Sequence, residues 1–357
     1  MYKILDLKDE KQTKDFKEFL EGHPRCNFQQ SLEWGNVKTF WIKEVVVSCS
    51  DDGKIRGSLT IWVRKMPIFG YMMYVARGPV CDIHDKAVLK DLKDGSDEIA
   101  KKYKAFVLRM EPDVEKEDKE YRKIVEELGY KVKDDSKDFK DEIQPRFVFQ
   151  LDLRGKDKDT IFSEFHQKTR YNTRLATKKG VEVKEGTRDD LKIFHNIMIE
   201  TGKRDDFLAR PLSYFEKMYD ELVPGGHMKL LMAYHEGQPI SGIIPIMYGN
   251  KTWYLYGASS NSKRNVMPNY LLQWTSIQEA IDAGHEMYDF RGVSGVVDEN
   301  HPQYGLYRFK KGFNARFVEF IGEVYLPYKP FVYKMYKFAE KTFRTIRGIK
   351  SRLNQKV

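Results

Sequence analysis

Residues 304–313, Tyr-Gly-Leu-Tyr-Arg-Phe-Lys-Lys-Gly-Phe, place the cations Arg308, Lys310 and Lys311 among the aromatics Tyr304, Tyr307, Phe309 and Phe313. Cations beside aromatic faces suit an anionic partner that also carries rings. Just upstream, Gly292 and Gly295 bracket Ser294, in a loop where glycine lets backbone N–H groups approach a ligand closely. Composition alone leaves a plainer alternative, a surface helix whose aromatics face the core.

A second cationic set, Lys168, Arg170, Arg174, Lys178 and Lys179, lies inside a stretch that reads as a helix. Arg170, Arg174 and Lys178 recur at every fourth position and share a face, where like charges cost roughly a few tenths of a kcal/mol per pair. Glu164 is the acid at hand to offset them, so the face is either solvated or matched by an anionic partner. Arg210, followed by Pro211 and Tyr214, offers a planar guanidinium fork for phosphate or carboxylate. The Tyr214 phenol either hydrogen-bonds the same ligand or belongs to the core. Tyr256 ends a strand-like run beside Gly257, where it either faces a cleft or is buried in a sheet. Lys38 sits between aromatics in the segment from Phe28 to Trp41.

The run Gly305-Leu306-Tyr307-Arg308-Phe309-Lys310-Lys311-Gly312-Phe313-Asn314 precedes a strand-like stretch that closes on Ile321-Gly322-Glu323. Together they resemble the C-terminal signature of the Fem transferases, the non-ribosomal peptidyltransferases that build peptidoglycan cross-bridges. The run from Lys168 to Val181, KTRYNTRLATKKGV, is similar to a second long motif of that family, and the resemblance extends over nearly the whole chain. It implies an α/β (α+β) fold of two tandem acetyltransferase-like (GNAT) domains, each a mixed, mostly antiparallel sheet flanked by helices. On this plan residues 1–150 form the first domain, joined by the C-terminal segment 320–357, and residues 151–319 form the second.

The activity so implied moves an amino acid (Gly, Ala or Ser) from aminoacyl-tRNA to an amine of the stem peptide of a peptidoglycan precursor, lipid II or UDP-MurNAc-pentapeptide. The aminoacyl ester is already activated, so catalysis needs positioning, oxyanion stabilisation and removal of a proton. Aminoacyl-tRNA is a co-substrate, and the resemblance calls for no cofactor and no metal. Carried onto this sequence, it assigns Lys310 to the aminoacyl end of the tRNA and to developing negative charge, with Phe309 shaping the pocket. Glu111, at a strand end just before Pro112, orients the attacking amine or takes its proton. Lys38, Arg210, Tyr214 and Tyr256 fall to the precursor, and Lys168, Arg170, Arg174, Lys178, Lys310 and Lys311 to the tRNA. Two positions depart from the family pattern: members can carry Asp where Glu111 stands and a hydroxyl residue where Leu208 stands. Larger members insert a coiled-coil arm after the helix that Pro211 opens. Here the corresponding Glu221-Leu222-Val223-Pro224-Gly225-Gly226-His227-Met228 is a short turn.

The elements that must position these residues follow a repeated plan. Lys14 to Leu20 reads as a short amphipathic helix. Strands at Glu44 to Ser50 and Ile55 to Lys65 flank the turn Asp51-Asp52-Gly53-Lys54, a hairpin signal. Strand Tyr71 to Arg77, helix Asp85 to Tyr103, strand Ala105 to Met110 and helix Asp118 to Leu128 complete the first half, and strand Arg146 to Leu153 leads out of it. In the second, Asp159 or Thr160 caps a single helix ending at Gly180. Thr187 with Asp190 opens another in a capping-box pattern, and Pro211 a third. Three strands between Met228 and Tyr256, a helix from Pro268 to Gly284 and the motif stretch follow. Both halves thus read helix, antiparallel strands, helix, strand.

The chain has 357 residues, enough for two or three domains. Lys and Arg number 62 against 53 Asp and Glu, a net charge of +9 that favours polyanions or anionic lipid as partners. Cys26, Cys49 and Cys81 show no metal spacing and read as reduced thiols of a cytoplasmic protein. The opening Met-Tyr-Lys-Ile-Leu-Asp-Leu-Lys is too polar for a signal peptide. No intact pyrophosphate loop of an acyl-CoA-dependent N-acyltransferase stands in either half. That activity, and a non-catalytic tRNA- or membrane-surface adaptor, remain the rival readings. The tail runs from Tyr328 to Val357, and from Tyr333 onward it carries Lys334, Lys337, Lys341, Arg344, Arg347, Lys350, Arg352 and Lys356 against the acid Glu340. Phe343, Ile346, Ile349 and Leu353 add a helical apolar stripe, and such a segment can lie on an anionic membrane face. Docking of that stripe on the first domain is the alternative.

Overall fold

In a computed structural model, which describes residues 1–137 and 143–354 with side chains through residue 342, the chain builds two mixed sheets. The first contains β1 (Tyr2–Ile4), β2 (Ile42–Cys49), β3 (Ile55–Met66), β4 (Gly70–Arg77), β5 (Val80–Cys81), β6 (Val107–Pro112), β7 (Lys131–Lys133) and β15 (Glu323–Pro327). Its order is β1-β2-β3-β4-β6-β15-β7, with β5 on β3. The second contains β8 (Phe147–Asp152), β9 (Val181–Glu185), β10 (Leu231–His235), β11 (Gln238–Tyr248), β12 (Lys251–Ser259), β13 (Met287–Val293) and β14 (Arg316–Glu319), in the order β14-β8-β13-β12-β11-β10-β9. Helices α1 (Glu10–Gly22), α2 (Leu32–Val37), α3 (Lys86–Tyr103) and α4 (Lys119–Glu127) precede β8. Helices α5 (Lys158–Glu164), α6 (Gln167–Lys178), α7 (Leu191–Asp205), α8 (Leu212–Leu222), α9 (Pro268–Asp282), α10 (Tyr304–Lys311) and α11 (Pro330–Asn354) follow it.

Most ladders are antiparallel, and each sheet holds one parallel pair of inner strands, β4 with β6 and β12 with β13. The two pairs differ. β4 and β6 stay in register from Met72 opposite Val107 to Arg77 opposite Pro112. β12 and β13 pair only from Lys251 opposite Met287 to Trp253 opposite Asp289 and then part. A bulge in β13 between Asp289 and Gly292 accompanies the parting, since an unpaired residue bends its strand. The first sheet is therefore closed at this level and the second is open.

Phe28, Trp34, Trp62 and Tyr74 of the first half pack in one apolar cluster with Phe194, Phe215, Met218 and Trp253 of the second. Phe28 stands edge-on to both Trp34 and Trp253, with ring centroids 4.9 and 5.1 Å away. β15 returns the chain to the first sheet, where it pairs with β6 and β7. There the buried Arg109 donates to Glu323 at 2.8 Å and meets Glu340 of α11 at 3.2 Å. Tyr333 and Tyr336 of α11 are buried against Met72, Phe106 and Val107. The tail's proposed stripe of Phe343, Ile346, Ile349 and Leu353, with its cations beyond Thr342, lies outside the described side chains.

The expected single helix from residue 160 to 180 is two helices. Asp157, not Asp159 or Thr160, caps the first through the Thr160 N–H at 2.8 Å. The second begins after His166, whose N–H goes instead to the Gly312 carbonyl at 2.9 Å. A long-range backbone bond thus ends what local spacing reads as continuous. α8 runs to Leu222 and β10 starts at Leu231, and residues 223–230 between them form a turn. Cys26, Cys49 and Cys81 are buried and unpaired. Among the described residues no helix is long and apolar enough to cross a membrane.

Candidate active site

Where β12 and β13 part, a cavity of about 950 Å³ opens, lined by Tyr254, Tyr256, Gly257, Tyr270, Arg291, Gly292, Phe309 and Lys310 among others. α10 supplies Phe309 and Lys310, and aromatic contacts fix it. Phe309 meets Tyr270 at 5.0 Å, and Phe313 meets both Phe290 and Phe165 at 5.1 Å. This clamping turns Lys310 inward, leaving it 4% exposed. Its ammonium donates to the Gly292 carbonyl at 2.7 Å and lies 5.6 Å from the centroid of the Tyr254 ring. Burial lowers its pKa to about 7, the nearby Asp289 carboxylate opposing and Arg291 reinforcing the shift. An amine so placed is part ammonium and part free amine near neutrality. It can donate to developing negative charge or exchange a proton.

Arg291 stands beside it and was not singled out by sequence reasoning. Its backbone is left-handed at φ +61°, a conformation rare outside glycine. The Asp289 carboxylate holds that turn by accepting the Arg291 N–H at 2.6 Å. The guanidinium donates to the Gln144 side chain at 3.0 Å, and burial with Arg77 nearby brings its pKa down to about 10. The only local signal was its position between a strand and Gly292; the φ and the approach of Gln144 are tertiary facts. Asp289 is itself buried, and desolvation raises its pKa.

Across the cleft mouth, residues distant in sequence converge. The Lys38 ammonium donates to the Tyr214 hydroxyl at 3.1 Å and lies 4.5 Å over the Trp34 ring. Burial, then Arg210 and Arg291, lower its pKa to about 8. The Arg210 guanidinium sits 5.4 Å from the Tyr214 ring centroid, and the Tyr256 hydroxyl reaches that of Tyr214 at 3.5 Å. Lys38, Arg210 and Arg291 form no ion pair among the described residues. Lys38 and Arg210 gather beside Arg291, which itself has the Asp289 carboxylate nearby, and together they make an electropositive cradle suited to phosphate or carboxylate.

Glu111 ends β6 in the closed sheet. Its carboxylate accepts from the Tyr74 hydroxyl at 2.5 Å and from the N–H groups of Ile143 and Gln144 at 3.0 Å. It is 6% exposed, and burial raises its pKa. Gln144 links it to the open cleft, since its backbone binds Glu111 while its side chain binds Arg291.

On α6, Arg170 turns back to the carbonyls of Ser163 and Phe165 at the end of α5, and Arg174 lies 5.1 Å over the Phe162 ring. Lys168 and Lys178 are exposed, as is Lys311, 5.8 Å from the Tyr307 ring centroid. The start of α6 abuts the end of α10. A Cβ at Gly312 would come 2.4 Å from the Thr169 hydroxyl. The two cationic runs, about 140 residues apart in sequence, therefore meet.

The model of the FemAB family matches residues 12–237 and 228–341. A lipid II:glycine glycyltransferase of Staphylococcus epidermidis is 30% identical over 406 aligned positions, which cover 95% of this chain and 96% of the relative. The Staphylococcus aureus protein of the same name is 29% identical, covering 85% of this chain and 89% of its own. Among solved structures, that of FemX superposes with a TM-score of 0.86 at 27% identity, over 93% of this chain and 99% of FemX. A tandem GNAT protein from clavulanic acid biosynthesis shares the fold at a TM-score of 0.53 and 12% identity, over 92% of this chain and 98% of its own.

Proposed function

This chain belongs to the FemAB family, and from that premise we propose that it transfers glycine from aminoacyl-tRNA to an amine of the stem peptide of lipid II, building a peptidoglycan bridge. Glycine and lipid II are favoured over Ala, Ser and the UDP-linked precursor because the relatives at 30% and 29% identity are named for both. The observation that carries the reading is Lys310, a buried ammonium in the open parting of β12 and β13 that makes no ion pair among the described residues. The aminoacyl ester enters that parting, and Lys310 donates to the carbonyl oxygen as the neutral acceptor amine attacks; the ester C–O bond to the tRNA ribose then breaks, and the proton lost by the amine leaves with the freed ribose hydroxyl. Phe309 shapes the pocket. The exposed Lys168, Lys178 and Lys311 face the tRNA backbone, with Arg170 and Arg174 fixing their helix.

The acceptor's phosphates or carboxylates lie in the cradle of Lys38, Arg210, Tyr214 and Tyr256. Glu111, bound by three donors, orients the site through Gln144 and Arg291. The enzyme works at the inner face of the cytoplasmic membrane, with α11 against its anionic lipids. The test is incubation with Gly-, Ala- or Ser-tRNA and each precursor, read by product mass, with acetyl-CoA as the rival donor. Addition of glycine to lipid II is expected, and no tRNA-dependent product with any combination rejects the reading. Lys310→Ala is expected to lower the rate by roughly ten- to a hundredfold, since a lost hydrogen bond to a charged group costs about 1.5–3 kcal/mol. Normal turnover by a folded mutant assigns the role elsewhere.

A further inference from the structure

Five large apolar side chains stand out of the surface on three segments that meet. Phe40 is 84% exposed, Ile68 99%, Phe331 75%, Met335 49% and Phe338 76%. The segments are held together from beneath: Trp41, Phe69, Tyr333 and Tyr336 share one cluster around Phe106. Phe69, next to Ile68 in the β3–β4 turn, packs edge-on to Tyr336 of α11 at 5.5 Å. On α11, Phe331, Met335 and Phe338 fall at i, i+4 and i+7 and share a face. Tyr333, Tyr336 and Glu340 occupy the opposite, docked face.

Single exposed apolar residues are ordinary, but a contiguous set marks an interaction surface. Two features say what covers this one. The exposed cations Arg64, 5.5 Å from the Trp41 ring centroid, and Lys334, beside Tyr333 on α11, flank the apolar groups, while the acid of this stretch of α11, Glu340, is turned inward to Arg109. The surface also protrudes instead of forming a groove: Ile68 sits at a hairpin tip in the left-handed region at φ +70°, a strained place for a β-branched residue. A projecting apolar tip flanked by cations fits the interface of an anionic bilayer.

We propose that the β3–β4 turn, Phe40 and the outer face of α11 form one docking surface for an anionic lipid bilayer. The inference rests on the reading of a lipid-linked acceptor and deepens it. Lys38 of the acceptor cradle is two residues from Phe40, so docking by this face brings the cradle to the membrane surface where an anchored headgroup lies.

The test uses the full chain and the variant Ile68→Ser/Phe331→Ser/Phe338→Ser, whose exposed positions leave the melting temperature unchanged. Co-sedimentation is measured with vesicles of phosphatidylcholine alone and with added phosphatidylglycerol. The native chain is expected to bind the anionic vesicles and not the neutral ones, and the variant at least about tenfold more weakly. Transfer to vesicle-embedded acceptor falls in step, while transfer to soluble UDP-linked precursor is unchanged. Equal sedimentation of the two proteins, or binding indifferent to lipid charge, overturns the docking surface whatever the transfer results. So does a native dimer that the variant converts to monomer without any vesicle binding, because a second copy then covers the face. Charge-dependent vesicle binding that the variant loses, in a protein that transfers nothing to either acceptor, leaves the docking surface standing and rejects the activity instead.

Discussion

Burial sets the protonation of the Lys310 amine first, and two neighbours of opposite sign then adjust it, which makes the site's pH response a signed prediction. With a free-enzyme pKa of about 7, Lys310 is ammonium below that pH and neutral above it. If the ammonium serves the reaction, kcat/KM for the donor, which reports the free enzyme, falls as pH rises through about 7. Arg291 lowers this pKa and Asp289 raises it. Arg291→Gln is therefore expected to move the descending limb to higher pH and Asp289→Asn to lower pH. Displacements of the same sign in both variants, or none in either, dissociate the limb from Lys310. The same burial makes a stability statement. Because the folded pKa lies below the usual lysine value of 10.5, the unfolded chain binds more protons between the two values. The penalty of the buried charge is full below pH 7 and fades as pH rises toward 10.5.

At the scale of elements, the junction of α6 with α10 joins the two cationic runs through a contact with no room to spare. Gly312 has an ordinary helical φ of −60°, so alanine there meets no backbone strain; its Cβ would come 2.4 Å from the Thr169 hydroxyl and, less severely, 3.2 Å from the Phe309 carbonyl oxygen. Gly312→Ala is expected to destabilise by about 1–3 kcal/mol, the usual cost of overpacking, and to weaken the tRNA donor by displacing α6. Thr169→Ala removes the clashing oxygen and should recover much of that loss in the double variant, measured by urea unfolding and donor KM. An additive double variant removes the contact from the explanation. The parting of β12 from β13 is the other decisive element. The closed pair β4 and β6 keeps its register to the strand ends and leaves beside Glu111 a small pocket of about 20 Å³, lined by Arg77 and Gln144 among others, where the Tyr74 hydroxyl and the loop amides at 143–144 bind Glu111.

Over the whole molecule, the two sheets share one core. Phe28 touches aromatic partners on both sides, Trp34 and Trp253. Phe28→Ala should cost about 3–5 kcal/mol, and the native chain should melt in one calorimetric transition, because neither sheet keeps its apolar face without the other. Two transitions, with only one shifted by Phe28→Ala, would show that the halves unfold separately. A shared core also brings together the cluster proposed to hold the acceptor, since Lys38 comes from the first half and Arg210, Tyr214 and Tyr256 from the second.

What the sequence determined by itself was local or carried by long motifs. The turn at 51–54 and the apolar runs beside it specify a hairpin, because strand period and turn chemistry are read within a few residues. The cationic runs at 168–179 and 304–313 were visible as composition, and the family and its tandem fold followed from their motifs. Tertiary structure alone decided the rest. The break between α5 and α6 depends on the Gly312 carbonyl, more than a hundred residues away. Arg291 entered the site through a left-handed φ and a bond to Gln144 that no local pattern encodes. Lys310 reads in sequence like its neighbours Arg308 and Lys311, yet it alone of the three is buried. Which of three adjacent cations loses its water is settled by the long-range packing of Phe309 and Phe313, and a desolvated amine is chemically a different group from a solvated one.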